Sequence, residues 1–184
     1  NVRDGDEALY AAEGAAERVM ADLVREDDWN ALLDGRAATS LVDGARSGTR
    51  RLPDGARVDL DTETHLVRCG VPRPCSEAEM TAEVEARPWG SNNPRWQLVA
   101  HGQLQDLLGA GLVDSQLYVL VWVGDDPAEN DGNALVDGAP GNPGAGVISI
   151  LAHVYGLRGV RRGVHVTLAR DGPVPRLLSW RQAP

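Results

Sequence analysis

Apolar residues recur at three- and four-residue spacing at the start of the chain. Leu9, Ala12, Ala16, Val19, Met20 and Leu23 form one narrow stripe, with Glu7, Glu13, Glu17, Arg18 and Asp22 largely off it. The pattern predicts a helix from Asp4 to about Asp27, with a further turn at Trp29–Leu33 before the Asp34-Gly35 break. Two of the six stripe residues are alanine, so whatever packs there must approach closely. Gly14 inside this helix costs about 1 kcal/mol relative to alanine, a deficit that neighbours must offset.

Periodicity changes further along. Thr49–Leu52 and Ala56–Leu60 flank Pro53-Asp54-Gly55, which is turn chemistry between two short strands. Ser76 and Glu79 form a capping box that opens a short helix ending near Glu85 or Ala86. Trp89 and Trp96 bracket a proline-containing loop, and both are expected to anchor it to the core. The second half is strand-rich: Trp96–His101, Tyr118–Val123, Val147–Tyr155 and Val164–Arg170, with a helical turn at Leu104–Leu108 and a short edge strand at Leu177–Trp180. The expected fold class is α+β, a long N-terminal helix packed on an antiparallel sheet of about four strands. One domain spans 1–184: a helix region at 1–33, a helix and loop insertion with short strands at 34–95, and the sheet at 96–184.

Residues Gly5 to Glu17, reading Gly-Asp-Glu-Ala-Leu-Tyr-Ala-Ala-Glu-Gly-Ala-Ala-Glu, resemble the stretch after the membrane helix in PilX-type minor pilins of type IV pili. The resemblance covers roughly residues 5 to 30 and is looser at Leu177–Arg181. Gly14 and Ala15 stand where the family usually has alanine and then glycine. It implies a pilin-like fold and a non-enzymatic subunit that takes part in pilus assembly, priming or adhesion. It also implies other pilins as partners and a location on the extracellular pilus or cell surface, with a periplasmic-side inner-membrane pool before assembly. The assembly stripe would be Leu9, Ala12, Ala16, Val19 and Leu23. Contact with a membrane would run only through an N-terminal apolar helix that this sequence does not contain, either removed by truncation or supplied as a separate polypeptide.

Charge sharpens this picture. The net charge of −9 and the absence of a clustered basic face argue against nucleic acid. All 18 basic residues are arginine, and the one tight cluster, Arg158, Arg161 and Arg162, reads as a solvated hairpin turn. No arginine lies between Arg95 and Arg158, where acids accumulate. Asp125, Asp126, Glu129, Asp131, Asn133 and Asp137 supply the oxygen ligands that calcium requires, although with Gly132 at the sixth position the register of an EF-hand fails. The stretch therefore reads either as a solvated acidic loop or as an irregular calcium site. Calcium is the cofactor such a site would take, and a secreted calcium-dependent binding or adhesion domain is the alternative function.

Cys69 and Cys75 enclose Gly-Val-Pro-Arg-Pro, a bent segment suited to a small disulfide loop, and two thiols alone cannot close a zinc site. Catalysis finds little support. The four histidines are widely spaced, and no serine sits in a nucleophile elbow. His153 and His165, on the two strands of the expected hairpin, form the single pair placed to share a metal or serve a hydrolase.

Overall fold

The computed structural model describes residues 2–26, 28–85, 94–108, 115–127, 132–138, 145–171 and 174–183. Helix α1 spans Val2–Leu23, followed by the single turn α2 (Asn30–Leu33). Strands β1 (Thr49–Arg51) and β2 (Arg57–Asp59) form a two-stranded ribbon. Helices α3 (Leu60–Cys69) and α4 (Glu77–Glu85) come next. Then β3 (Gln97–Gln103), α5 (Leu104–Leu108), β4 (Tyr118–Asp125), β5 (Val147–Tyr155), β6 (Arg161–Asp171) and β7 (Val174–Ala183) complete the order. Strands β3 to β7 form one antiparallel meander in sequence order.

The expected pilin-like fold with a sheet of about four strands is therefore corrected. The main sheet has five strands, and a separate ribbon adds two. The fifth strand is a full ten residues, Val174–Ala183, rather than a short edge piece. A register shift explains the shortfall: Thr167 pairs with Ser179 but Leu168 pairs with Leu177, so Leu178 is bulged out and breaks the alternation. Pro175 is tolerated because β7 lies at the end of the sheet. Helix α3 also went unread. Asp59 caps it, accepting the Thr62 N–H at 2.8 Å, and Gly70 closes it in the left-handed region at φ 70°.

Both faces of the sheet are covered, which explains the uninterrupted apolar run of β4, every residue of which is buried. Val119, Val121, Val123, Ile148, Ile150, Val154, Val164, Val166 and Leu168 pack under α1. On the opposite face, Leu98, Tyr118, Leu120, Trp122 and Tyr155 meet Leu52 and Val58 of the ribbon region and Leu60 of α3. Trp96 belongs to this second core, while Trp89 lies outside the described residues.

Helix α1 contacts β4, β5 and β6. Its buried face is almost all alanine, Ala8, Ala11, Ala12, Ala15 and Ala16, with Val19 and Leu23 at its far end. Leu9 and Met20 are only half-buried at its margin. The contact face is thus rotated toward Ala8, Ala11 and Ala15, away from the larger residues that dominate the pattern. At the C-terminal end, the Trp29 indole N–H donates to the Leu23 carbonyl at 3.1 Å, satisfying one of the orphan acceptors of a helix terminus. The Arg170 guanidinium lies 4.1 Å over the same ring.

Gly14 points away from this contact, and a Cβ added there would meet nothing within 4 Å. Gly14→Ala is expected to stabilise the isolated protein by about 1 kcal/mol, because it removes backbone freedom from the unfolded chain without a clash. Urea denaturation checks this, and an unchanged or lower midpoint would contradict it.

Candidate functional site

Among the described residues, histidine, arginine, tyrosine and glutamate side chains gather on the outer face of the sheet, beside α3. Strand pairing sets the layout. Trp122, Leu151, His165 and Arg181 are successive cross-strand partners from β4 to β7. The neighbouring row runs Leu120, His153, Gly163, Ala183, and the next places Tyr155 opposite Arg161. Along β6, Arg161, Gly163 and His165 alternate onto this one face.

Gly163 is small for a physical reason. A Cβ there would sit 2.6 Å from the His153 ring and 3.1 Å from the Ala152 carbonyl oxygen. The imidazole of His153 therefore lies over Gly163, 3% exposed, with its edge toward Trp122 at a ring separation of 5.2 Å. Arg161 Nη2 donates to His153 Nδ1 at 3.0 Å, and Arg181 Nη2 donates to His165 Nδ1 at 2.7 Å. A guanidinium has no acceptor, so both Nδ1 atoms accept and each neutral ring carries its proton on Nε2. Burial and the nearby Arg161 charge lower the His153 pKa to about 3, which holds that ring neutral.

Tyr155 extends the network. Its hydroxyl donates to Glu63 Oε2 of α3 at 2.6 Å, and Arg161 Nη2 stands 3.9 Å from the same carboxylate. Burial, then the hydrogen bond to Glu63, raises the tyrosine pKa. Between these groups and α3 lies a groove of about 490 Å³, lined by Leu66, Val67, Leu151 and the two histidine–arginine pairs, with Gln182 and Ala183 at the edge strand.

No family model, curated protein or solved structure matches this chain.

The two histidines singled out from the sequence thus share a groove, but their close charged partners are arginines. A His153 ring fixed as an acceptor from Arg161 is poorly suited to take a proton. Arg161, read as part of a solvated turn, instead belongs to this network with its side chain 39% exposed. Arg181, Tyr155 and Glu63 were not singled out at all. The one sequence signal was the alternation Arg161-Gly163-His165, hidden because β6 was expected to begin at Val164 rather than Arg161.

Four of the six candidate calcium ligands fall among the described residues. Asp125 ends β4, fully buried opposite Ile148, and Asp126 follows it half-buried. Asn133 accepts the Leu135 N–H at 3.2 Å. Asp137 accepts the Gly146 N–H, and its own N–H donates to the Asn30 side chain, both at 2.7 Å. Glu129 and Asp131 lie outside the described residues. Among the described residues no three His, Cys, Asp or Glu side chains converge as a metal site.

Cys69 and Cys75 form a disulfide with Cα atoms 6.5 Å apart. Of the expected assembly stripe, Ala12, Ala16, Val19 and Leu23 are buried against the protein's own sheet and Leu9 is half-buried, so these side chains are already occupied within the chain itself. Among the described residues no helix is long and apolar enough to cross a membrane.

Proposed function

We propose that this chain is a non-enzymatic subunit of a type IV pilus or related filament, a PilX-like minor pilin that works by packing against other pilins. The observation that carries this reading is the seating of α1. Alanines hold the helix close against the sheet, and a second ridge of the same helix is left outward. Arg3, Tyr10 and Glu17 are exposed on that ridge, Tyr10 at 71%, with Gly14 leaving an open notch beside it. A neighbouring helix could approach closely at Gly14 and cover Tyr10. This replaces the buried alanine stripe as the surface offered for assembly. The disulfide is consistent with a domain exposed outside the cytoplasm, where such bonds persist.

The test is to shear filaments from the native cells and determine which proteins they contain. The expected result is this chain in the filament fraction, preceded by an apolar segment with an N-methylated first residue. Tyr10→Asp is expected to reduce its recovery from filaments while leaving the melting temperature of the isolated protein unchanged. Absence of the wild-type chain from filaments would overturn the proposal.

A further inference from the structure

The outer-face groove concentrates positive charge in a strongly acidic protein. Arg161 and Arg181 contribute two guanidiniums, and among the described residues the groove lining includes no carboxylate. Among the described residues, the carboxylate nearest Arg161 is Glu63 at 3.9 Å, already accepting the Tyr155 hydroxyl, and none lies within 4.0 Å of Arg181. The hydrogen bonds that Arg161 and Arg181 make here go to neutral imidazole nitrogens, which offset none of the cationic charge, so Glu63 at 3.9 Å is the one carboxylate among the described residues that partly balances the pair. Each guanidinium has five N–H donors in a fork suited to an oxyanion.

The rest of the groove has the opposite character. Leu66 and Val67 of α3 form one wall and Leu151 the floor, with Ala183 at the rim. The rings are held in place: His153 stands edge-on to Trp122, and His165 edge-on to Trp96 at 5.7 Å. The space above Gly163 is taken by the His153 ring, and its β7 partner Ala183 presents only a methyl group at the rim. A volume near 490 Å³ falls within the size range of small-molecule sites.

We propose that this groove binds a small organic anion, its carboxylate or phosphate group held by Arg161 and Arg181 and its apolar body resting on Leu66, Val67 and Leu151. The histidines act as positioning residues, because each holds its arginine through a neutral Nδ1. The site is separate from the α1 ridge and does not depend on filament assembly.

Benzoate and phenyl phosphate are the probes, titrated at constant ionic strength while the His153 and His165 ring C–H signals are followed by NMR. Benzyl alcohol serves as the uncharged control and inorganic phosphate as the anion without an apolar body. Saturable shifts with benzoate or phenyl phosphate, weaker with inorganic phosphate and absent with benzyl alcohol, are expected. Arg181→Gln should weaken binding about tenfold, the order of one charge-assisted hydrogen bond, with an unchanged far-ultraviolet circular dichroism spectrum. Linear, non-saturating shifts with both organic anions would overturn the proposal in the wild-type protein, without recourse to a variant. Equal binding of benzyl alcohol would also overturn it, by making the groove merely apolar.

Discussion

Ala12→Leu and Ala16→Leu are each expected to destabilise the protein by about 3 kcal/mol, and the pair together to prevent cooperative folding at ordinary temperature. Both alanines are fully buried between α1 and the sheet. Their neighbours in this core, Val121, Ile150, Val164 and Val166, are themselves fully buried. Three additional carbons at either position cannot be accommodated by a rotamer change, so the helix must lift or the sheet must bend. Lifting the helix would also loosen the contacts of Ala8, Ala15 and Val19 on the same face. Leu9→Ala provides the contrast: Leu9 is half-buried at the margin of the contact, and its loss should cost only about 1 kcal/mol. Urea denaturation of the three variants checks the ranking. A wild-type midpoint for Ala12→Leu would mean that α1 does not press on the sheet.

Acid is expected to destabilise the protein well before the carboxylates titrate. His153 has a folded-state pKa of about 3 against an ordinary value of 6.5. Between those values the unfolded chain binds a proton that the folded protein refuses. The contribution of His153 is therefore complete above pH 6.5 and is lost progressively as the pH falls toward 3. Its slope approaches about 1.4 kcal/mol per pH unit, so the loss across the window reaches several kcal/mol. Burial is the main cause, and the nearby Arg161 charge adds to it. The other groups around the ring, Trp122 and Tyr155, are uncharged in this range, and Glu63 is engaged by Tyr155. His101 contributes in the same sense, since burial lowers its pKa as well. His153→Gln should therefore flatten the stability profile between pH 6.5 and 4.5 without abolishing the residual slope from His101. Denaturation midpoints measured across that range decide the matter, and identical slopes in variant and wild type would exclude His153 as the titrating group.

Much of the fold was legible because local chemistry and tertiary outcome agree. The capping box at Ser76 and Glu79 is made as read, with the Ser76 N–H donating to Glu79 at 2.9 Å and the Glu79 N–H to the serine hydroxyl at 3.2 Å. Pro53-Asp54-Gly55 turns β1 into β2, and the disulfide closes its short loop. Where alternation was broken, legibility failed. Leu177 and Leu178 adjoin because of a bulge, so β7 looked shorter than it is. Helix α3 was missed because its apolar residues are few and its start is declared only by the Asp59 cap.

The candidate groove was legible only as two isolated histidines. Its arginines come from β6 and β7, its wall from α3, and the seat for the His153 ring from a glycine ten positions later in the chain. By itself, the sequence determined the N-terminal helix, the central strands and the acidic balance, because periodicity, turn residues and composition act over neighbouring positions. Tertiary structure alone decided which ridge of α1 is buried, that five strands join in one sheet, and that two arginines meet two neutral imidazoles beside α3. Those outcomes depend on register between strands distant in sequence, which no local pattern encodes.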